Sequence, residues 1–255
     1  MMGQTLEKLF RCVTRWAGLI EEQHHHFYRR TLNRDSFVLD LGCNKGDFSR
    51  SVAGQFGCKI LGVEASPTLF RALPVIENVR FLHYAVSDAP GEALFHLSEN
   101  PYSSSLNAKL AEVNRRLDSV QVKTITLRML LEQIKGERLA LLKVDIEGAE
   151  LAMFNSASDD ELRGFEQITV EFHDLDMPEC VPQAQAIQHR LEQIGFFTLQ
   201  MSQPHYDDVL FINLKRLRVR KRDWPPLYLL KYIVLPLRAC RRKRLRFNQT
   251  RANSI

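Results

Sequence analysis

No run in this chain reaches the roughly 20 mostly apolar residues that a helix needs to cross a bilayer, so a transmembrane segment is not expected. The first 19 residues carry Glu7, Arg11 and Arg15 among their apolar positions and lack an uninterrupted hydrophobic stretch with a small-residue cleavage site, which argues against a secretory signal. The five cysteines, Cys12, Cys43, Cys58, Cys180 and Cys240, are isolated and odd in number. With no CxxC pair they supply neither a zinc module nor a disulfide framework, and a reducing, cytoplasmic setting is the expectation. There is no internal repeat and no heptad monotony, which removes solenoids and coiled coils. Acidic residues almost vanish beyond position 213: residues 214–255 hold 14 Lys/Arg and only Asp223, leaving 21 basic and 29 acidic residues in 1–213. The formal charge of +5 therefore conceals an acidic body and a basic extension, and the basic partner surface belongs to the extension.

What is present is one catalytic-size domain. A chain of 255 residues can bury one substantial core, and the patterning divides it at about residues 31 and 213. Leu6, Leu9, Phe10, Val13, Trp16, Leu19 and Ile20 recur at helical spacing and predict an amphipathic helix over 4–30, ending in a surface cluster of His24, His25 and His26. From Ser36 the pattern changes to short apolar runs. Residues 37–41, 59–63 and 79–84 read as strands with helices after Gly46 and near Pro67, followed by inner strands at 139–144 and 167–172 and a closing pair at 196–200 and 209–213. This βαβ spacing predicts a doubly wound α/β domain with a mostly parallel sheet covered on both faces. Residues 93–97 and 122–125 are extra strands around a Pro/Ser-rich loop, 98–107, which either covers the active side or is an ordinary surface connection.

The densest local signal is Val38-Leu-Asp-Leu-Gly-Cys-Asn-Lys-Gly-Asp-Phe48, an apolar strand running into a tight turn and then a helix. Gly42 and Gly46 let backbone approach a ligand, and the helix start offers free N–H groups. Glu64 closes the second strand 22 residues after Gly42, near the offset of about 20 at which a carboxylate can accept from ribose hydroxyls. The loop has neither the GxGxxG spacing of nicotinamide-nucleotide sites nor a Walker A ending.

The Asp40-Leu-Gly-Cys-Asn-Lys-Gly46 loop, Glu64 and above all Lys143-Val-Asp-Ile-Glu-Gly-Ala-Glu150 resemble the FkbM family of S-adenosylmethionine-dependent methyltransferases, over roughly residues 33–213. The resemblance implies the class I methyltransferase fold, a seven-stranded sheet with an antiparallel last strand. It also implies S-adenosylmethionine as cofactor, bound by Asp40, Gly42, Asn44 and Gly46 in the loop, by Glu64 on the ribose, by Val86, Ser87 and Asp88 beside the adenine, and by Asp145. Cys43 and Lys45 depart from the small or apolar residues common there. Cys43 reads as a packing residue. Lys45 either faces solvent or pairs with the cofactor carboxylate.

Asp145 should emerge at the carboxyl edge of the sheet, where open α/β sheets bind ligands. If Ile146 begins a helix, Glu147 and Glu150 share its first face, with Glu150 in a supporting role and Gly148 at a close approach. Glu171 and His173 fall on one side of the next strand, followed by Asp174 and Asp176. His173 is the expected proton acceptor for an alcohol, with Asp145 and Glu171 orienting it or the acceptor; a metal held by Asp145, Glu171 and His173 is an open alternative.

The extension contains 214–222, a Trp224-Pro-Pro break, an apolar stretch 227–237 and a second basic run at 241–246. It either packs on the body, lies on an anionic membrane surface or contacts nucleic acid through phosphates. The expected function is O-methylation of a hydroxyl on a saccharide, glycolipid or other small metabolite, in the cytoplasm or at the inner membrane face. RNA methylation and a non-catalytic lipid- or polyanion-binding protein are the alternatives; no Asn-Pro-Pro-aromatic sequence of the base N-methylating type is present.

Overall fold

A computed structural model describes residues 2–99, 104–113, 115–173 and 177–242. Asp174, Asp176, the middle of the 98–107 loop and most of the second basic run lie outside these residues. The chain opens with α1 (Met2–Trp16) and a hairpin of β1 (Leu19–Glu22) and β2 (His25–Tyr28). Next come β3 (Ser36–Leu41), α2 (Asp47–Phe56), β4 (Lys59–Glu64), α3 (Pro67–Ala72) and β5 (Val79–His83). An inserted segment holds β6 (Ala85–Val86), β7 (Gly91–Ser98), α4 (Ala108–Val113) and β8 (Arg116–Ile125). The remainder is α5 (Leu127–Gln133), β9 (Arg138–Val144), α6 (Glu150–Ser156), α7 (Asp159–Arg163), β10 (Gln167–Val170), α8 (Val181–Gln193), β11 (Phe196–Gln200), β12 (Val209–Asn213) and α9 (Trp224–Leu229).

The main sheet has seven strands in the order β11-β12-β10-β9-β3-β4-β5. Its pairs are parallel except that β12 runs antiparallel to both β10 and β11. The doubly wound, mostly parallel sheet expected from the sequence is thus the observed one. Neighbouring strand residues point to opposite layers: Leu39 and Leu142 pack with Phe154 and Phe165 on one face, Val38 and Leu141 with Phe27 and Leu230 on the other. β6, β7 and β8 form a separate three-stranded sheet, as the extra-strand reading anticipated.

The long N-terminal helix is a correction. α1 stops at Trp16 because Gly18 takes a left-handed conformation (φ 78°) and donates its N–H to the Arg15 carbonyl, a helix-terminating arrangement. The chain then reverses through Gln23 and His24, both at positive φ, which is the backbone a two-residue hairpin turn requires. The three histidines are consequently not one surface cluster: His24 is exposed, whereas His25 and His26 are buried. Gln167 of β10 clamps the hairpin, its Oε1 accepting from the Tyr28 N–H at 2.8 Å and its Nε2 donating to the Tyr28 carbonyl at 3.0 Å. His26 adds an N–H to Asp208 Oδ1 at 3.2 Å.

The start of the basic extension packs on this same face. Leu227, Leu230, Val234 and Leu235 are buried there, and Tyr28 donates its hydroxyl to Asp223 at 2.6 Å. Burial and that carboxylate push the Tyr28 phenol up to about 12. Among the described residues no helix is long and apolar enough to cross a membrane.

Candidate active site

The cleft forms where β3, β4 and β9 deliver their C-terminal ends together. Gly42 and Cys43 donate their N–H groups to the Val63 carbonyl at 2.9 and 3.0 Å, tying the loop after β3 to the end of β4. Glu64 then holds that loop from the other side: Oε2 accepts the Asn44 N–H and Oε1 the Ser66 N–H, both at 2.8 Å. Burial pushes the Glu64 carboxyl up to about 7 against these two donors. Gly42 sits at φ 76°, and a Cβ there would run into the Asp145 carbonyl oxygen, so the β3 and β9 loops touch backbone to backbone. Gly42, Asn44, Glu64, Leu69, Val86 and Asp145 line the cleft, and Ser104 and Leu106 close it from the inserted segment. The described end of the Ser-rich loop therefore lines this cleft.

Other residues expected at the cofactor lie beside the cleft. Gly46, at φ 77°, precedes α2. Ser87 is half-buried and Asp88 exposed, joined by a 3.0 Å hydrogen bond. Asp40 is fully buried under the loop, where it accepts from the Ser49 hydroxyl at 2.7 Å. Cys43 is buried, consistent with packing, and burial pushes its thiol up, away from thiolate chemistry.

Lys143 is the organising cation, and sequence reasoning passed over it. Its buried Nζ donates to the Gly42 carbonyl at 2.7 Å and stands 3.3 Å from both Asp40 Oδ1 and Asp145 Oδ2. Burial opposes its charge, but the two carboxylates outweigh that and hold the ammonium above its usual pKa. Burial likewise opposes ionisation of Asp145; Lys143 first, then His25 and His173, hold its carboxyl well below the usual range. The signal that could have revealed Lys143 is a charge set inside an otherwise apolar strand, Leu139-Ala-Leu-Leu-Lys-Val144.

After Asp145 the chain does not enter a helix at once. Glu147 adopts φ 51° and Gly148 φ 89°, so α6 starts only at Glu150. Glu150 reaches back with Oε1 to accept the N–H groups of Ile146 (3.0 Å) and Gly148 (3.1 Å), the supporting role anticipated for it. Ser105 donates its hydroxyl to the Glu147 carbonyl, and Leu110, Met177 and Asn107 crowd the space a Cβ on Gly148 would need. Non-glycine residues in the left-handed region cost of order 1–3 kcal/mol and concentrate at functional sites.

His173, beyond the end of β10, lies among three carboxylates. Nε2 is 3.1 Å from Glu147 Oε2 and 3.9 Å from Asp145 Oδ1; Nδ1 is 3.3 Å from Glu150 Oε1. Although burial disfavours its charge, Glu150 and Glu147 raise its pKa well above the ordinary histidine value, which favours the imidazolium. Burial raises the Glu147 carboxyl; burial, then Asp145, pushes Glu171 up to about 8. His25, expected on the surface, comes within 3.7 Å of Asp145 Oδ2 through Nε2. Ligand-capable atoms of Asp145, Glu147 and His173 form one close group and those of His25, Asp145 and Glu171 another.

Residues 40–198 match the family model described as the methyltransferase FkbM domain. No curated protein matches. Among solved structures the chain is similar to precorrin-6y C5,15-methyltransferase from Geobacter metallireducens GS-15, at 13% identity over 71% of this chain and 80% of that one, with a TM-score of 0.39. It is also similar to the fibrillarin pre-rRNA processing protein of Methanococcus jannaschii (13%, 78% and 71%, 0.41) and to a TehB-like SAM-dependent methyltransferase from Corynebacterium glutamicum (12%, 72% and 83%, 0.33).

Proposed function

The chain belongs to the FkbM methyltransferase family and uses S-adenosylmethionine, and from that footing we propose that it methylates a hydroxyl of a saccharide, glycolipid or other small metabolite. The observation that carries this reading is the placement of Asp145 and Glu147 on the wall of the cofactor cleft, with His173 3.1 Å from Glu147. Carboxylates at the rim suit an acceptor that donates hydroxyl hydrogens, and they disfavour a polyphosphate backbone.

The cofactor fits the cleft on chemical grounds. Gly42 leaves bare backbone beside Asp145, and Glu64 presents acceptor oxygens at a strand end. When bound, S-adenosylmethionine supplies an electrophilic methyl group on a sulfonium. The protein's part is to orient the acceptor oxygen, exclude water and take the hydroxyl proton. Asp145, kept ionised by Lys143, accepts from the hydroxyl and fixes its direction. The proton passes to the Glu147–His173 pair: Glu150 and Glu147 favour the charged imidazole, so the incoming proton rests on Glu147. His173 thus serves as the charged partner that positions the accepting carboxylate, a different division of labour from a neutral imidazole acting alone.

Glu64 should make cofactor affinity depend on pH. Its pKa of about 7 in the free protein means that below pH 7 the carboxyl is protonated, and binding ribose hydroxyls to a carboxylate must then release that proton. Affinity is full above pH 7 and weakens by up to about tenfold per unit below it. Glu64→Ala should weaken S-adenosylmethionine binding by about 1–3 kcal/mol and flatten this dependence. Calorimetry on the folded variant between pH 5.5 and 8.5 checks both; an unchanged affinity profile contradicts the ribose assignment.

We place the basic extension at an anionic membrane surface. α1 and α9 adjoin, and Trp16, Tyr228, Tyr232, Ile233 and Leu237 remain exposed, as do Lys221 and Arg222. Mass-resolved transfer of labelled methyl from S-adenosylmethionine in a fractionated cell extract tests acceptor and location together. The expected product is a methyl ether in the glycan or lipid-linked fraction, with enzyme in the salt-extractable membrane pool. Label confined to RNA nucleotides would overturn the reading.

A further inference from the structure

The proposed proton path makes no use of His25. This side chain is fully buried, carried from β2 onto the sheet face by the Gln167 clamp. Its Nε2 has no hydrogen-bond partner among the described residues and faces Asp145 Oδ2 across 3.7 Å, too far for a hydrogen bond. Nδ1 lies 3.4 Å from the Thr169 hydroxyl, which fixes the ring's orientation. A buried polar atom without a partner is destabilising, and here that atom is aimed at a carboxylate it does not reach.

Glu171 closes the figure. One donor atom from each of His25, Asp145 and Glu171 lies within 4.8 Å of the others. Two donors on opposite sides of one ion at about 2.0–2.4 Å stand about 4.0–4.8 Å apart, and adjacent donors stand closer. Two carboxylates and one imidazole together make a donor set suited to a divalent ion. The neighbouring group of Asp145, Glu147 and His173 is different, because His173 Nε2 is already paired with Glu147 at 3.1 Å.

We propose that His25, Asp145 and Glu171 bind one divalent first-row transition ion, Mn2+ being the representative probe, and that the ion's remaining positions face the acceptor hydroxyl. One imidazole with two carboxylates selects ions that accept nitrogen and oxygen together, over Mg2+ and Ca2+, which favour all-oxygen shells. Thr169 is a positioning residue acting through His25 Nδ1. The ion lies on the Oδ2 side of Asp145, which leaves Glu147 and His173 on the Oδ1 side for the proton. In its functional role this inference rests on the methyl-transfer reading: a hydroxyl bound to the ion becomes more acidic and yields its proton to Glu147, while no electrons change hands.

The test uses the whole chain, stripped with chelator and titrated with MnCl2 alone, followed by calorimetry and electron paramagnetic resonance. One Mn2+ per chain is expected, with Mg2+ binding at least about tenfold weaker. His25→Ala and Glu171→Gln should each weaken Mn2+ binding by about 100-fold or more, beyond the 10–100-fold typical of outer partners, whereas Thr169→Val should fall within that range. His173→Gln should leave the affinity nearly unchanged. Circular dichroism verifies folding; should His25→Ala fail to fold, the partly exposed Glu171→Gln carries the test. Absence of stoichiometric binding by the parent, retention in folded His25→Ala or Glu171→Gln, or loss in His173→Gln each overturns the assignment. Because Mn2+ binding is read without cofactor or acceptor, a chain that transfers methyl yet binds no Mn2+ refutes the site alone, and one that binds Mn2+ without methylating any hydroxyl refutes the function alone.

Discussion

Lys143→Met should destabilise the fold by about 3–5 kcal/mol, the loss expected when one partner of a buried ion pair is removed and the other is left uncompensated. The wild-type ammonium is shared by Asp40, which is fully buried, and Asp145, which is partly covered, and it also donates to the Gly42 carbonyl at 2.7 Å. Methionine matches the length but supplies neither charge nor donor. Asp145 then loses the first of the groups that hold its carboxyl low, and its pKa is expected to move upward. A carboxyl held low by Lys143 contributes stability that is present above the ordinary aspartate pKa of about 3.9 and lost as pH falls below it toward the folded value, so the deficit of the variant should be full at neutrality and shrink only below about pH 4. Urea unfolding at pH 7 and about pH 2.5 measures this directly. A midpoint equal to that of the parent at both values would mean that Lys143 is not the compensating charge. Adding Asp40→Asn to Lys143→Met should recover part of the loss, since it removes one of the stranded charges.

Glu147→Gln should slow the methyl-transfer step by about 10²- to 10⁴-fold, the range associated with loss of a general base, with S-adenosylmethionine affinity nearly intact. Glutamine preserves shape and still meets His173, but it cannot take the hydroxyl proton. His173→Gln should lower the same rate and also alter its pH profile, because the proton on His173, 3.1 Å from Glu147, sets the basicity of that carboxylate. Single-turnover kinetics at saturating cofactor and acceptor isolate the step from product release. Parental rates in folded Glu147→Gln would exclude the pair as proton acceptor. A slow Glu147→Gln with a parental His173→Gln would leave the carboxylate as base and remove the histidine from the chemistry.

The cofactor half of the site was legible in the chain because its geometry is local. A strand that ends in Asp-Leu-Gly and a second strand ending in Glu64 must deliver those residues to one edge once the two strands pair in parallel, and Gly42 marks backbone contact through the absence of a side chain. The near-continuous apolar runs along β3 and β9 foretold burial on both faces, because successive residues in a strand point to opposite layers. Glu147 was less legible. Its helical spacing to Glu150 suggested one shared helix face, but positive φ at Glu147 and Gly148 delays the helix, and the two carboxylates meet instead across His173.

His25 and Lys143 belong to the tertiary structure alone. Three histidines in a row fit an exposed cluster as well as a hairpin; what buries His25 is Gln167, some 140 positions away, gripping the backbone of Tyr28. What makes Lys143 a keystone is the convergence of Asp40 and Asp145 from two strand ends. The sequence by itself determined the periodicities, the turn positions and the order of acidic strand ends, because these follow from covalent neighbours and backbone preference. Only the folded chain decided which charge meets which, since the worth of an ion pair depends on distance and on exclusion of water, and both arise when segments far apart in the chain close over the same cleft.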